Sequence, residues 1–196
     1  MDPVAIEQVS TLLCLLVLPV GWLEYRILEK SRWGVLLSVI NLALLYGPWV
    51  VLGWRSFTGL AFSPNVLVGS GMMVVAIVLF LTGVPSILKA RGQITTWPDS
   101  LVTTGPYRFI RHPLYAGHAL LIVGGMLAAA PTQLFMATPV LWIIAIIASR
   151  YEETHRLQIR FGEAYTHYSA RTPFLLPVWG WILYGIIYLT SALKVL

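Results

Sequence analysis

The sequence has little charge and a single cysteine. Charged residues make up 11% of its 196 positions and apolar residues 58%, whereas a soluble domain averages about 25% and about 45–50%. The composition therefore excludes a water-soluble fold, and its hydrophobicity excludes a disordered chain. Cys14 has no second cysteine with which to form an intrachain disulfide, so a disulfide scaffold is excluded as well. These absences leave an integral membrane protein.

Long apolar runs account for most of the chain. A spanning helix needs about 20 mainly apolar residues, and six runs approach this length: 9–28, 33–54, 66–88, 114–130, 132–149 and 174–193. The last is interrupted by Pro177 and Gly180, so it can instead lie flat or re-enter the membrane. We predict one all-α domain over residues 1–196, a polytopic membrane bundle of five to six transmembrane helices plus a cytoplasmic amphipathic helix.

Lysine and arginine are distributed unevenly between the connecting segments. Cytoplasmic loops of membrane proteins carry an excess of these residues, and 11 of the 13 in this chain fall on one side of the six runs. Segments 24–32, 89–112 and 150–172 are therefore expected in the cytoplasm. The same bias explains the net charge of +5 without a nucleic-acid partner. The pattern predicts a multi-pass protein of the cytoplasmic or inner membrane whose surrounding partner is the lipid bilayer.

The first long polar stretch ends in GPYRFIRHPLYAG, residues 105–117. Gly105-Pro106 favours a turn, and Pro113 suits the first position of a helix, which puts His112 just outside it. The free amides and the dipole at such a helix start favour an anion, for example a carboxylate or a phosphate. Anchoring at the membrane interface would explain the same composition, so both interpretations stay open.

The second polar stretch, Arg150 to Tyr168, follows the fifth run directly. On a continuous helix four of its residues recur at every fourth position and share one face: Glu153, Leu157, Phe161 and Tyr165. Glu153 therefore points the same way as apolar residues, and a carboxylate held there needs a cationic or hydrogen-bonding partner. Arg111 and Arg150 are candidates within the chain. A ligand's ammonium or ribose hydroxyls are the alternative.

The histidines and the lone cysteine do not form a recognisable metal site. The four histidines lack the HExxH spacing, and one cysteine cannot build a cysteine-rich zinc site. We therefore predict that the protein binds no metal. His118, on an apolar run, is either a hydrogen-bonded packing residue or a proton-relay or substrate residue.

Together the two motifs, GPYRFIRHPLYAG and EETHRLQIRFGEAYTHYSARTP, resemble the isoprenylcysteine carboxyl methyltransferases and their prokaryotic relatives, which adjoin the membrane phospholipid methyltransferases. The resemblance covers residues 89–177, which contain the core motifs. It implies an enzyme that uses S-adenosylmethionine, held at the cytoplasmic ends of the last core helices. Its methyl acceptor is expected to be a lipophilic or small molecule.

The resemblance also assigns roles to individual positions. The residues expected to bind the cofactor are Leu101, Val102, Tyr107, His112, Pro113, Leu114, Tyr115, Glu152 and Glu153. The candidate catalytic residues are His112, Arg111 and Arg150. The eukaryotic relatives carry a substrate-contacting arginine one helical turn before the inner glutamate, where this chain has Ser149 with Arg150 beside it.

The chemistry of the acceptor is left open by the sequence. The methyl group of a sulfonium is already activated, so its transfer needs alignment and exclusion of water rather than a protein nucleophile. A carboxylate acceptor needs no base, whereas an amine or a thiol must lose a proton, for which His112 and Glu153 are candidates. Carboxyl O-methylation of the isoprenylcysteine type is the first interpretation. Phospholipid amine N-methylation, thiol S-methylation and a non-catalytic membrane accessory role are the alternatives.

Overall fold

The computed structural model describes residues 40, 64–90, 98, 100–129, 135–136 and 138–193. In chain order its elements are α1 (Pro64–Ala90), a 3₁₀ turn (Gly105–Arg108), α2 (Pro113–Ala129), α3 (Thr138–Glu152), a π-helical turn (Glu153–Leu157), α4 (Gln158–Arg171) and α5 (Val178–Leu193). These residues form helices, turns and loops without any strand, so the all-α class is confirmed for this part of the chain. Apart from Ile40, the first two predicted spans lie outside the described residues, and the count of five to six spans stays a prediction.

The described helices all belong to one of two units into which the chain divides. This unit comprises Phe62–Gly92 and Pro98–Leu196. Among the described residues, α1 is the helix that is long and apolar enough to cross a membrane, and it contains the predicted run 66–88. It exposes many large apolar side chains, for example Leu67, Val74 and Leu81, which is typical of a surface that contacts lipid.

Helices α1 and α2 pack closely because small residues line their interface. Gly69, Ala76 and Gly83 are buried on α1 at intervals of seven residues, a spacing that keeps them on one face. A Cβ atom on Gly69 would lie 2.4 Å from the carbonyl oxygen of Gly124, and one on Gly83 would lie 3.0 Å from the side chain of Leu114. The start of α1 thus meets the end of α2, so the two helices run antiparallel.

Not every small residue on these helices serves their packing. By composition, small residues on these apolar runs allow close helix approach, Gly71 and Gly125 among them, but these two do not take part in the contact between α1 and α2. A Cβ atom on either one would meet no described atom within 4 Å. The reason is that both residues point away from the line of contact along which Gly69 and Gly124 meet.

Helix α5 packs against α3 through aromatic side chains. The Trp142 ring lies 4.9 Å from that of Trp181 and 5.6 Å from that of Tyr184. The hydroxyl groups of Tyr184 and Thr138 form a hydrogen bond of 2.8 Å. The sixth apolar run is therefore held against the fifth in the folded protein.

Helix α5 begins four residues later than the apolar run predicts. Residues 172–177 form an irregular connection because Pro177 has no amide hydrogen and disfavours a helical conformation in the residue before it. The carbonyl of Pro177 then accepts hydrogen bonds from the amides of Gly180 and Trp181, at 2.8 and 3.2 Å, and the helix starts there. This connection packs against the polar residues described next.

Candidate active site

Polar side chains from three parts of the chain gather around Glu153, which is 5% exposed. Its Oε1 accepts hydrogen bonds from His112 Nε2 at 3.1 Å and the Tyr165 hydroxyl at 2.5 Å, and it forms an ion pair with Arg111 Nη1 at 3.0 Å. Its Oε2 accepts one from Arg150 Nη1 at 3.0 Å. The buried carboxylate thus has its partners within the chain, and both arginines considered from the sequence are among them. We call Glu153 and these four residues the Glu153 cluster.

The surroundings of Glu153 keep it ionised. Burial by itself opposes ionisation, but the hydrogen bonds from His112 and Tyr165 and the charge of Arg111 outweigh it and lower the pKa of Glu153 to about 2. Burial and the bond to this anion raise the pKa of Tyr165, so its hydroxyl stays a donor. A carboxylate with so low a pKa is a poor proton acceptor at neutral pH. The geometry therefore gives Glu153 a holding role rather than that of a general base.

The start of α2 joins the end of α3 through His112. Helix α2 begins at Pro113, as predicted, and the carbonyl of His112 accepts the Ala116 amide at 3.0 Å. The buried imidazole lies between two carboxylates, with Nε2 on Glu153 and Nδ1 3.8 Å from Glu152 Oε2. The Glu152 side chain also forms a hydrogen bond with Tyr115. Two segments separated by 41 residues in sequence thus form one site.

The connection before α5 forms another side of the cluster. The Arg111 amide donates to the carbonyl of Pro173 at 2.8 Å, and the His112 amide donates to the carbonyl of Phe174 at 3.2 Å. The Phe174 ring lies 5.1 Å from the Arg111 guanidinium and 4.3 Å from that of Arg150. Arg111 Nε is buried and has no hydrogen-bond partner among the described residues.

The second polar stretch is helical, as predicted, but the helix is interrupted, so the expectation that Glu153 and Tyr165 share one straight helical face is wrong. Glu153 begins a π-helical turn, and Gly162 has φ 49° and ψ −123°, values close to the first central residue of a type II′ turn. Twelve residues of straight helix would separate Glu153 from Tyr165 by about 18 Å, yet their side chains are hydrogen-bonded. The chain therefore turns back at Gly162. The prediction that Glu153 faces inward is confirmed.

Three residues of the site were not recognised from the sequence: Tyr165, Tyr168 and Phe174. Periodicity placed Tyr165 on an apolar face, but its hydroxyl donates to Glu153. The Tyr168 hydroxyl donates to the carbonyl of Tyr107 at 2.6 Å and so ties the end of α4 to the 3₁₀ turn. The sequence did contain a chemical indication of the two tyrosines. A buried carboxylate needs hydrogen-bond donors, and Tyr165 and Tyr168 follow Glu153 within the same polar stretch.

The other predicted site residues lie around the cluster. Leu114 lies in the first turn of α2, and its side chain packs against α1 at Gly83. Only its backbone is therefore available to a ligand at the start of α2. Leu101 and Val102 are partly buried in the loop before the 3₁₀ turn, and their assignment to cofactor binding stays a prediction. His118 lies with its ring edge-on to Phe80 at 4.7 Å, which favours the packing interpretation of this residue.

In the part of the chain that the structure describes, the fold is helical, one helix is long and apolar enough to cross a membrane, and a buried ion-pair cluster lies where the helices end. The model of the phospholipid methyltransferase family matches residues 64–164, just over half of the chain. The chain belongs to this family and is a membrane methyltransferase. No curated protein and no solved structure gave a match.

The family match bears on the resemblance described above. The phospholipid methyltransferases belong to the same superfamily of membrane methyltransferases as the isoprenylcysteine enzymes, so the superfamily is confirmed and the particular branch is not determined. The matched range contains Arg111, His112 and Glu153. Tyr165, which completes the cluster, follows directly after this range, and Phe174, which contacts the cluster, lies further along the chain.

Proposed function

We propose that this protein transfers a methyl group from S-adenosylmethionine to a lipid-borne acceptor at the cytoplasmic face of the membrane. Membership of the family supports methyl transfer, and the family generally uses this methyl donor. The observation that carries the proposal is the meeting of His112, at the start of α2, with Glu152 and Glu153 at the end of α3. A structural anchor would not need a shielded polar cluster at this place.

The residues around the cluster fit the polar groups of S-adenosylmethionine. The first turn of α2 offers backbone amides and a positive dipole end for the carboxylate of the cofactor. The buried Arg111 Nε, which has no hydrogen-bond partner among the described residues, is a donor that an anionic oxygen would satisfy. The Glu152 carboxylate is suited to the ammonium or the ribose hydroxyls, and its side chain remains 14% exposed.

The chain's own residues would orient the reactants and exclude water. When bound, the cofactor supplies an activated methyl group. Glu153 holds Arg111 and His112 in fixed positions, since a site residue works best when its own orientation is set by packed and hydrogen-bonded neighbours. His112 is 4% exposed, so water is largely kept from this part of the site. No protein nucleophile takes part.

Arg150 is the member of the cluster best placed to meet the acceptor. Its side chain is 59% exposed and makes one hydrogen bond to Glu153, and a guanidinium recognises carboxylate and phosphate oxygens through several donors. Ser149 is fully buried, and its hydroxyl donates to the Ala145 carbonyl at 2.7 Å. Arg150 therefore takes the acceptor-binding role in this proposal.

Two acceptors carry an anionic group that suits Arg150. One is an isoprenylcysteine-type carboxylate, which is itself methylated and is favoured by the exposed guanidinium. The other is a phospholipid amine, whose neighbouring phosphate would face Arg150 and which is favoured by the family description. In both cases the acceptor enters from the bilayer, and the charged cofactor enters from the cytoplasm.

The reaction is tested first by binding and then by transfer. Purified protein in detergent is titrated calorimetrically with S-adenosylhomocysteine, and saturable binding is expected. Radiolabelled methyl transfer from S-adenosylmethionine is then measured side by side on a prenylcysteine, phosphatidylethanolamine and methanethiol. Label in one of the two lipids identifies the acceptor. A folded sample that binds no S-adenosylhomocysteine would support the accessory role instead.

Variants at two arginines separate the acceptor from the cofactor. Arg150→Gln is expected to raise the acceptor KM about 10-fold, because a charge-assisted hydrogen bond is lost, with S-adenosylhomocysteine affinity changed much less. The matched control is Arg160→Gln, at an exposed position on α4, which should change neither quantity. An unchanged acceptor KM in Arg150→Gln would exclude Arg150 from acceptor binding.

A further inference from the structure

One aromatic residue outside the family-matched range touches three members of the Glu153 cluster. The Phe174 ring centroid lies 5.1 Å from the Arg111 guanidinium, 4.3 Å from the Arg150 guanidinium and 5.2 Å from the His112 ring, which meets it edge-on. The backbone of Phe174 also accepts the amide of His112. The ring is therefore placed to set the directions of these side chains.

The charges of the cluster make such a ring useful. Arg111 and Arg150 both approach the single carboxylate of Glu153 and repel one another. The face of an aromatic ring attracts cations, so a ring against both guanidiniums lowers the cost of bringing them together. An aliphatic side chain would fill a similar volume without this attraction.

We propose that Phe174 is a positioning residue that holds Arg111, His112 and Arg150 in their orientations around Glu153. The consequence for methyl transfer rests on the function proposed above. The arrangement of the three side chains does not depend on that function, because it is a property of the unliganded protein. Phe174 touches the cluster and not the reacting atoms, so it acts through its neighbours.

The ring can be altered without removing the anchor of its connection. Leu175, the next residue, is fully buried and packs with Ile110, Ala116 and Ala145. Phe174 itself is only partly buried. Its substitution by leucine should therefore leave the connection before α5 in place.

The test compares Phe174→Leu, which removes the ring, with Phe174→Tyr, which keeps it. The loss of two cation–π contacts is expected to lower kcat/KM for methyl transfer about 5- to 30-fold in Phe174→Leu, while Phe174→Tyr stays within about twofold of the wild type. The matched control is Phe109→Leu, at a phenylalanine that is 69% exposed. It should leave kcat/KM unchanged.

A second measurement does not depend on catalysis. The chain has four histidines, so the ring nitrogen resonances of His112 can be followed by NMR in ¹⁵N-histidine-labelled protein in detergent. Phe174→Leu should shift these resonances, and Phe174→Tyr should restore them. Thermal unfolding of each variant reports whether the fold is retained.

The outcomes separate this proposal from the proposed function. If the His112 resonances are unchanged in Phe174→Leu, the positioning role is overturned. The same holds if Phe174→Leu lowers only the thermal stability and leaves kcat/KM and the resonances normal. If the wild-type protein neither binds S-adenosylhomocysteine nor transfers methyl groups, the proposed function fails. The His112 resonances then still decide whether Phe174 positions the cluster.

Discussion

At the scale of single residues, Glu153 combines burial with charge. An unpaired buried carboxylate is costly and would become protonated. Here three donors meet one of its oxygens and an arginine meets the other. Glu153 can therefore remain ionised, and its charge in turn fixes the groups that surround it.

Substitution of Glu153 by glutamine tests this dependence. Glu153→Gln keeps the shape of the side chain and removes the charge that holds Arg111 and His112, so we expect weaker binding of S-adenosylhomocysteine by about 1–3 kcal/mol. Calorimetric titration measures the change. The control Glu163→Gln alters an exposed acid on α4 and should bind like the wild type. Equal affinity in all three proteins would remove Glu153 from the site.

The low pKa of Glu153 also predicts how stability depends on pH. The pKa is about 2 in the folded protein and 4.5 in the absence of these interactions. A depressed carboxyl pKa contributes stability that is fully present above the unfolded value. This contribution should be lost as the pH falls from 4.5 towards about 2. Thermal unfolding in detergent over this range should show a steeper loss for the wild type than for Glu153→Gln, and equal slopes would contradict the assignment.

At the scale of elements, the reversal at Gly162 determines which residues meet. The π-helical turn and α4 would carry Tyr165 and Tyr168 away from the site if they formed one straight helix. Because the backbone turns at Gly162, the second part of α4 returns to Glu153 and to Tyr107. This conformation, with φ 49°, suits glycine and is costly for a residue with a Cβ atom.

Gly162→Ala is therefore expected to destabilise the protein by about 1–3 kcal/mol through backbone strain. A Cβ atom there would meet no described atom within 4 Å, so crowding does not contribute. The matched control is Gly185→Ala on α5, which has equally open surroundings and no positive φ; it should be neutral or slightly stabilising. Thermal unfolding of both variants gives the comparison, and equal effects would refute the strain argument.

The close approach of α1 and α2 predicts that substitutions at their interface lower the stability of the protein. Gly69→Ala would place a methyl group against the Gly124 carbonyl and the Ala128 backbone, so we expect a loss of about 1–3 kcal/mol through overpacking. Gly71→Ala, two residues along the same helix, meets no described atom within 4 Å and should be tolerated. Resistance to unfolding in detergent measures both. Equal tolerance would mean that the interface can widen without cost.

At the scale of the whole molecule, apolar surface and basic charge divide between different regions. Exposed apolar side chains lie along α1 and α5, which is typical of helices that contact lipid. The cluster residues instead belong to the segments that the charge distribution assigns to the cytoplasm. If this topology holds, cofactor and lipid reach the site from different sides.

Cysteine labelling tests the orientation. In a Cys14→Ser background, a Glu163→Cys variant should react with a membrane-impermeant maleimide from the cytoplasmic side, and an Arg55→Cys variant from the opposite side. Each position should be labelled in only one orientation of sealed vesicles. Labelling of both positions from the same side would overturn the predicted topology.

Features set by neighbouring residues were predicted from the sequence. The apolar run 66–88 lies within α1 with two extra residues at each end, because transfer into a membrane depends on local composition. Helix α2 starts at Pro113, because proline has no amide hydrogen to lose in the first turn. The inward direction of Glu153 followed from the helical period.

The partners of Glu153 were decided by the tertiary structure. Tyr165 lies 12 residues from it and His112 lies 41 residues from it, and both contacts depend on how separate segments meet. Helical periodicity assumes a continuous helix, so it missed the turn at Gly162 and the return of Tyr165. Phe174 was counted as the start of an apolar helix, because composition does not distinguish a ring that faces lipid from one that faces two guanidiniums. The sequence by itself thus determined a helical membrane protein with a polar centre, whereas the pairing of its side chains required the chain to be folded in three dimensions.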